Sequence, residues 1–371
     1  MDVAARAPRL RTTVAAAGCE ALLVTSLTNV RWLTGFTGSA ARVVVTPDEL
    51  VLVTDGRYGD QAEVELAAVG VGGRVLVGRS MAAQHDLLVD AIGPVRRLGL
   101  EAEHVSWSAQ RGYAQAFADT ELVPTVGLVE GWRLVKDGGE VARIERAADI
   151  ASAALDDTLP LLAEEPTEVA FALALDTEMR RRGAQGPSFD TIVAAGHNAG
   201  FPHHRPDERR IREGDLLVLD FGALVDGYHS DMTRTVAVGQ QSQEQIELLA
   251  LVTEAQALGV AAVAAGVDAR DVDAACRRYL TAAGWGDEFT HGTGHGVGLL
   301  IHEAPWVNAT STDRIVAGVV VTVEPGVYRG ALGGARVEDT VLVTSDGCRP
   351  LTKMPKDLAC LPSAPTTSRT G

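Results

Sequence analysis

Leu216-Leu217-Val218-Leu219-Asp220-Phe221-Gly222 is the stretch from which the fold can be read. A short, unbroken apolar run ending in a carboxylate is the pattern of a buried strand whose end opens onto a polar site. Eleven positions beyond Asp220, Asp231 opens a second strand, Met232-Thr233-Arg234-Thr235-Val236-Ala237-Val238, with a turn signal at Asp226-Gly227 between the two. A hairpin-like connection sets Asp220 and Asp231 side by side. Two carboxylates that close repel, so one takes a proton or both share a cation. The arrangement recurs at Val319 to Glu324, then a Pro325-Gly326 turn, then a strand from Arg336 to Val343 that carries Glu338. His295 stands between Gly294 and Gly296, where backbone can approach closely and an imidazole can reach inward.

Each strand set is preceded by helical sequence. Asp137-Gly138-Gly139-Glu140 reads as a helix entry, after which Val141, Ile144, Ala148, Ala151, Leu155, Leu159 and Leu162 recur at helical spacing. Thr167 is the expected N-cap of a second helix running to Arg182. A strand is expected at 191–194, and helices at 244–265 and 269–283, stopped by Gly266 and Gly284. Residues 129–363 therefore read helix-helix-strands twice, an internal pseudo-repeat with a site at its seam. Residues 1–128 form a separate α/β domain. Its strands are expected at 21–25, 42–46, 50–54, 74–77 and 97–101, its first helix ends at Gly18, and another helix spans 108–118. Gly35-Phe36-Thr37-Gly38-Ser39 has neither the Lys-Ser/Thr ending of a phosphate loop nor dinucleotide-site spacing, and reads as a tight turn. Residues 364–371, rich in Ser, Thr and Pro, are expected to be a disordered tail.

Bulk properties exclude several function classes. The 371 residues are enough for two domains with separate cores. A net charge of -16, with no basic block longer than Arg180-Arg181-Arg182, argues against a nucleic-acid-binding face. No apolar run reaches the roughly 18 residues of a membrane span. Cys19, Cys276, Cys348 and Cys360 show no metal-binding spacing, and free thiols in the cytoplasm are expected.

The four carboxylates of Asp220, Asp231, Glu324 and Glu338 and the imidazole of His295 are too many anionic and basic groups to bury without cations. With carboxylate bridging they suffice for two divalent ions roughly 3.5–4 Å apart, and such a pair supplies a hydroxide at neutral pH and polarises a scissile carbonyl. Oxygen-rich ligands with one imidazole favour Mn²⁺, Co²⁺ or a catalytic Zn²⁺ over a structural cysteine site. His203, His291 and His302 are further donors close in sequence to these segments.

At this point the motifs resemble those of a known family. Ser188-Phe189-Asp190-Thr191-Ile192-Val193, Pro202-His203-His204, Leu219-Asp220-Phe221-Gly222, His229 to Thr235, His291 to Gly298, His302-Glu303, Glu324 to Tyr328 and Gly334 to Thr340 look like the pita-bread metallopeptidases of the Xaa-Pro type, aminopeptidase P and prolidase. Trp32 to Ser39 and Thr54 to Tyr58 look like the creatinase-type N-terminal domain of that family. The resemblance implies a two-domain α/β protein: a creatinase-like domain followed by a pita-bread catalytic domain. It implies two metal ions, Mn²⁺ first, held by Asp220, Asp231, His295, Glu324 and Glu338, with Asp220 and Glu338 touching both. Glu324 would double as the acid/base, His302 would stabilise the tetrahedral intermediate, and His203 would act near the scissile bond. His291 and Arg336 would shape the substrate site. The expected activity is hydrolysis of the Xaa-Pro bond by a metal-bridging hydroxide, in a homodimer. The substrate is a short peptide with proline second, or, as the alternative, a dipeptide only. A non-catalytic binding protein on the same fold is the reading from another class. Proline gives the bond a tertiary amide without an N–H, which suits a site that works through the carbonyl.

Overall fold

The computed structural model describes residues 1–358, so the expected tail at 364–371 and the last residues of the expected second domain lie outside the described residues. The chain divides into two compact units, Met1–Arg133 and one that begins at Leu134. That division falls a few residues past the expected 128/129 boundary. The reason is local: Trp132 Nε1 donates to Thr13 Oγ1, and Arg133 Nη1 donates to the buried Asn29 Oδ1.

The first unit runs α1 (Arg6–Ala16), β1 (Ala21–Val24), α2 (Leu27–Thr34), β2 (Ala41–Val45), β3 (Leu50–Thr54), α3 (Gly59–Ala68), β4 (Arg74–Val77), α4 (Met81–Ile92), β5 (Arg97–Glu101), α5 (Trp107–Ala116), β6 (Glu121–Thr125) and α6 (Glu130–Arg133). Its strands form one mixed sheet in the order β4-β3-β2-β1-β5-β6. The central strands β1 and β3 are buried along their whole length, as their continuous apolar runs require. Gly35, read as a turn, is the left-handed residue (φ 74°) that ends α2.

The second unit begins with α7 (Gly138–Thr158), α8 (Glu168–Arg181), β7 (Gly186–Pro187), β8 (Ile192–Ala195), β9 (Leu216–Phe221), β10 (Ala223–Val225), β11 (Tyr228–His229) and β12 (Met232–Ala237). It continues with α9 (Gln243–Ala262), α10 (Ala269–Ala282), β13 (Gly294–Gly296), β14 (Glu303–Val307), β15 (Val320–Val323), β16 (Gly326–Arg329), β17 (Gly333–Arg336), β18 (Asp339–Val343) and β19 (Cys348–Pro350). Asp137 and Glu140 form a reciprocal capping box on α7, and Thr167 caps α8 through the Ala170 N–H.

The pseudo-repeat is visible in the topology. One sheet is ordered β12-β9-β8, and the other contains β18-β15-β13 in the equivalent order, flanked by β14 and β19. An isolated bridge precedes each second helix, Thr167 to Arg210 and Asp268 to Arg314. In the first half β9 pairs antiparallel with β12, with Phe221 opposite Met232, and the β10–β11 hairpin between them turns at Asp226 (φ 48°) and Gly227 (φ 76°). Two successive positive φ values are the demand of a tight hairpin turn. In the second half β15 pairs with β18, with Val323 opposite Asp339, and the β16–β17 hairpin occupies the equivalent interval. Gly326 thus opens a strand and does not make the expected turn. Likewise the strand expected from Arg336 to Val343 is broken in two, and Glu338 sits in the break.

Helix α9 ends at Ala262, short of the expected 265, because Val263 turns extended. An 18-residue window within its 20 residues reaches a mean hydropathy of 1.2, enough by length and composition for a membrane span. In this fold it lays Leu248, Val252, Ala255 and Gly259 into the second unit's core. Gly259 permits close passage of α10, since a Cβ there would sit 2.4 Å from Cys276 Sγ.

Candidate metal centre

Both strand pairs deliver their carboxylates to one place. Asp220 lies at the end of β9, Asp231 just ahead of β12, Glu324 just past β15, and Glu338 just ahead of β18. Ligand atoms of Asp220, Asp231 and Glu338 all fall within 4.8 Å of one another. His295, from β13, completes the group, with Nε2 3.3 Å from Glu324 Oε1 and 3.6 Å from Asp231 Oδ2. Its Nδ1 lies 3.1 Å from the Gly296 carbonyl. The Gly296 carbonyl can only accept, so Nδ1 carries a proton and Nε2 is the ring nitrogen that faces the carboxylates.

The strand bearing His295 is squeezed between neighbours. A Cβ on Gly294 would meet Thr322 O at 2.1 Å, and one on Gly296 would meet Ala304 O at the same distance. The glycines around His295 therefore serve close backbone approach, as the sequence implied.

Asp220 Oδ1 and Glu338 Oε1 are buried and have no hydrogen-bond partner. Their sister oxygens are held: Asp220 Oδ2 by Arg336 Nη2 at 2.6 Å, and Glu338 Oε2 by Thr233 Oγ1 at 2.7 Å. Each carboxylate is thus oriented by one donor and turns its other oxygen into the cluster. An unsatisfied buried carboxylate oxygen is costly unless something cationic meets it. The donor set, rich in oxygen with one imidazole, fits hard or borderline divalent ions. Asp231 belongs both to the Asp220–Glu338 grouping and to the His295 side.

Without cations the cluster is electrostatically unbalanced. Burial, then the charges of Glu338, Asp220 and Glu324, push the Asp231 carboxyl well above its ordinary range. Burial and the neighbouring Glu324 and Asp220 do the same to Glu338. Burial raises Asp220 too, against the pull of Arg336. Glu324 goes the other way. Burial alone would raise it, but the hydrogen bond and charge of His295, with His291 and Arg336, outweigh that and hold it at about 2.

A cavity of about 330 Å³ opens over the cluster. It is lined by every residue expected in the site, Asp220, Asp231, His295, Glu324, Glu338, His203, His291, His302 and Arg336, together with Phe189, Ile192, Ile301, Trp306 and Asn308. His302 packs edge-on against His295, with ring centroids 4.4 Å apart. The loop that bears it is anchored by Lys136 Nζ on Glu303 Oε1 at 2.7 Å, with the lysine side chain only 1% exposed. His203 sits in the loop after β8, where Arg336 Nη1 donates to the Pro202 carbonyl at 3.1 Å. His291 reaches the cluster indirectly. The Tyr328 hydroxyl accepts from Arg336 Nη1 at 2.7 Å and donates to His291 Nε2 at 2.8 Å. Burial keeps His291 below its ordinary pKa and pushes the Tyr328 phenol up to about 12. Tyr328 and Thr233 were not singled out as site residues.

Two further clusters of ligand-type side chains occur among the described residues, Glu101–His104–Glu130 and Glu168–His204–Asp207. Their buried carboxylates are already engaged. Glu101 accepts from Thr25 N, Ser26 N and Asn29 Nδ2, and Glu168 from Ala195 N, Asn198 Nδ2, His204 Nε2 and Asp207 N.

Comparison with known proteins agrees with this geometry. Residues 142–345 match metallopeptidase family M24, and residues 6–135 match the creatinase/prolidase N-terminal domain. The chain belongs to metallopeptidase family M24. The M24 chain is 40% identical over 353 residues to YqhT of Bacillus subtilis, described as an uncharacterized peptidase, spanning 95% of this chain and 99% of that one. Its fold matches the Xaa-Pro dipeptidase from Bacillus anthracis with a TM-score of 0.91 at 38% identity, covering 97% and 100% of the two chains. It matches the X-Pro aminopeptidase from Thermotoga maritima with a TM-score of 0.86 at 32% identity, covering 93% and 98%. The creatinase-type N-terminal domain and the pita-bread M24 domain expected from the sequence are both present.

Proposed function

We propose that this M24 metallopeptidase hydrolyses the bond preceding proline at the N-terminus of short peptides. The single observation that carries the reading is the pair of buried carboxylate oxygens, Asp220 Oδ1 and Glu338 Oε1, that face the cluster without a partner. Asp220, Asp231, His295, Glu324 and Glu338 would hold two divalent ions, Mn²⁺ first and Co²⁺ or Zn²⁺ as alternatives. Bound there, the ions supply an activated water and polarise the scissile carbonyl. Glu324 would double as the acid/base, taking the proton of the nucleophile and returning it to the leaving nitrogen. His302 and His203, on the cavity wall, donate to the developing oxyanion and near the scissile bond. Arg336, tied to Asp220 and to Tyr328, sets the orientation of one ligand and of His291 together. Phe189, Ile192, Ile301 and Trp306 offer apolar wall to the substrate's ring and side chain.

The resemblance put the aminopeptidase first and the dipeptidase second. The Bacillus anthracis dipeptidase matches more strongly in both fold and identity than the Thermotoga aminopeptidase, which favours the dipeptide. The aminopeptidase reading remains compatible. The deciding experiment is hydrolysis of Ala-Pro and of a longer Xaa-Pro peptide side by side after Mn²⁺ reconstitution. Cleavage of the dipeptide alone marks a dipeptidase. Release of only the first residue from the longer peptide as well marks an aminopeptidase, and cleavage of neither with Mn²⁺, Co²⁺ or Zn²⁺ overturns the reading. The same reading takes the chain to be a cytoplasmic homodimer. Cys19, Cys276 and Cys348 are free thiols, which suits a reducing compartment, and dimerisation is carried over from the family resemblance.

A further inference from the structure

We propose that Glu168, acting through His204, is a positioning residue for His203. The proposal rests on the Xaa-Pro peptidase reading above and concerns the part of the site that holds no ligand. His203 and His204 are adjacent, yet their imidazoles serve opposite sides of the loop. His203 is exposed toward the cavity, whereas His204 Nε2 donates to Glu168 Oε2 at 2.7 Å. Glu168 is the first residue of α8 and is 0% exposed. The first turn of a helix favours an anion, through its free N–H groups and the positive end of its dipole.

The carboxylate gathers the loop at both ends. Where the chain leaves β8, Ala195 N donates to Oε1 at 2.7 Å, and Asn198 Nδ2 donates to both oxygens at 3.1 Å. Where it returns, Asp207 N donates to Oε2 at 3.2 Å, and the Val169 N–H donates to Asp207 O. His204 is the ring that ties the middle of the loop to the same carboxylate. On the opposite side Arg336, which also holds Asp220, donates to Pro202 O. His203 is therefore suspended between two anchors, one reaching the metal cluster and one reaching a buried carboxylate outside it. A buried carboxylate this fully bonded is a rigid post, because each lost donor leaves a desolvated oxygen. Glu168–His204–Asp207 has the composition of a metal site, but its oxygens are committed to the loop. Its service to the reaction is geometric: an imidazole contributes to proton transfer only within hydrogen-bond reach of its target.

A double-mutant cycle in kcat on Ala-Pro tests this, using H204A, H203A and H204A/H203A in the Mn²⁺-loaded full chain. H204Q is included because its amide N–H can take the place of Nε2–H. The expected result is a loss of about tenfold to a hundredfold in kcat for H204A, with KM and bound metal unchanged. Most activity should return in H204Q, and H204A should cost nothing further once His203 is gone. Hydrogen exchange over residues 196–207 should speed up in H204A and not in H203A. If H204A loses its fold, the cycle is run with E168Q. An unchanged kcat in H204A, or a loss that persists in full in the H203A background, overturns the proposal and leaves the peptidase reading standing. A parent chain that cleaves no Xaa-Pro peptide overturns both.

Discussion

Asp220 and Glu338 each have one carboxylate oxygen held by a protein donor and one buried without a partner. Asp231→Asn or Glu338→Gln preserves shape and removes the charge that a cation meets. Either change is expected to lower peptidase activity by orders of magnitude and to reduce the metal bound per chain, with the far-ultraviolet spectrum unaltered. Full activity in either variant would sink the two-metal assignment. The acids and imidazoles of the site were legible because metal-ligand residue types stand out against apolar strands and glycine-rich flanks. Their supports were not. Thr233 and Tyr328 hold Glu338, Arg336 and His291 through hydroxyl groups, and hydroxyls carry no spacing pattern that distinguishes a site partner from a surface residue.

At the scale of elements, the strand that carries His295 is the informative case. Gly294-His295-Gly296 has no strand propensity, and only its position between β14 and β15 makes it extended. For that reason β13 was invisible in the sequence, while the capped helices α7 and α8 and the apolar strand β9 were plain. The same crowding yields a prediction. Gly294→Ala would press a methyl against Thr322 O, where 2.1 Å is available, and must shift His295 away from Glu324 and Asp231. The expected outcome is weaker metal binding by titration calorimetry and a lower Tm. Unchanged metal affinity would show that β13 yields without moving its histidine. Where the reading placed a Pro325-Gly326 turn, the actual hairpin lies further on. Glycine marked a departure from regular geometry but not its kind.

For the whole molecule, the duplicated helix-helix-strands pattern was legible because both halves share one order of elements. The exact division between units was not, since it depends on hydrogen bonds from Trp132 and Arg133 that no periodicity announces. The cluster at the seam makes stability depend on pH in a definite direction. In the metal-free chain Asp231 and Glu338 carry raised folded pKa values, so the native state keeps protons that the unfolded chain has released. Their contribution is complete below the ordinary carboxylate value of about 4 and is lost as pH rises through the raised values. Glu324, held at about 2, adds stability above the ordinary value and loses it only as pH falls toward about 2. Cations displace the protons, so the gain in Tm on adding Mn²⁺ over chelator should grow as pH rises above the ordinary carboxylate value of about 4. A gain independent of pH would contradict the balance drawn for the cluster.

The buried Lys136–Glu303 pair bears on where this chain can be cut. Lys136 lies ahead of the residues matched to family M24, which begin at 142, and its ammonium faces the carboxylate next to His302. At the other end the fully buried Arg234 donates to Met354 O and Pro355 O, beyond the matched residue 345. A fragment trimmed to the matched span would shed both contacts, and removing one partner of a buried ion pair costs about 3–5 kcal/mol. The smallest portion of this polypeptide worth isolating as a catalytic module therefore starts no later than Lys136 and ends no earlier than Pro355.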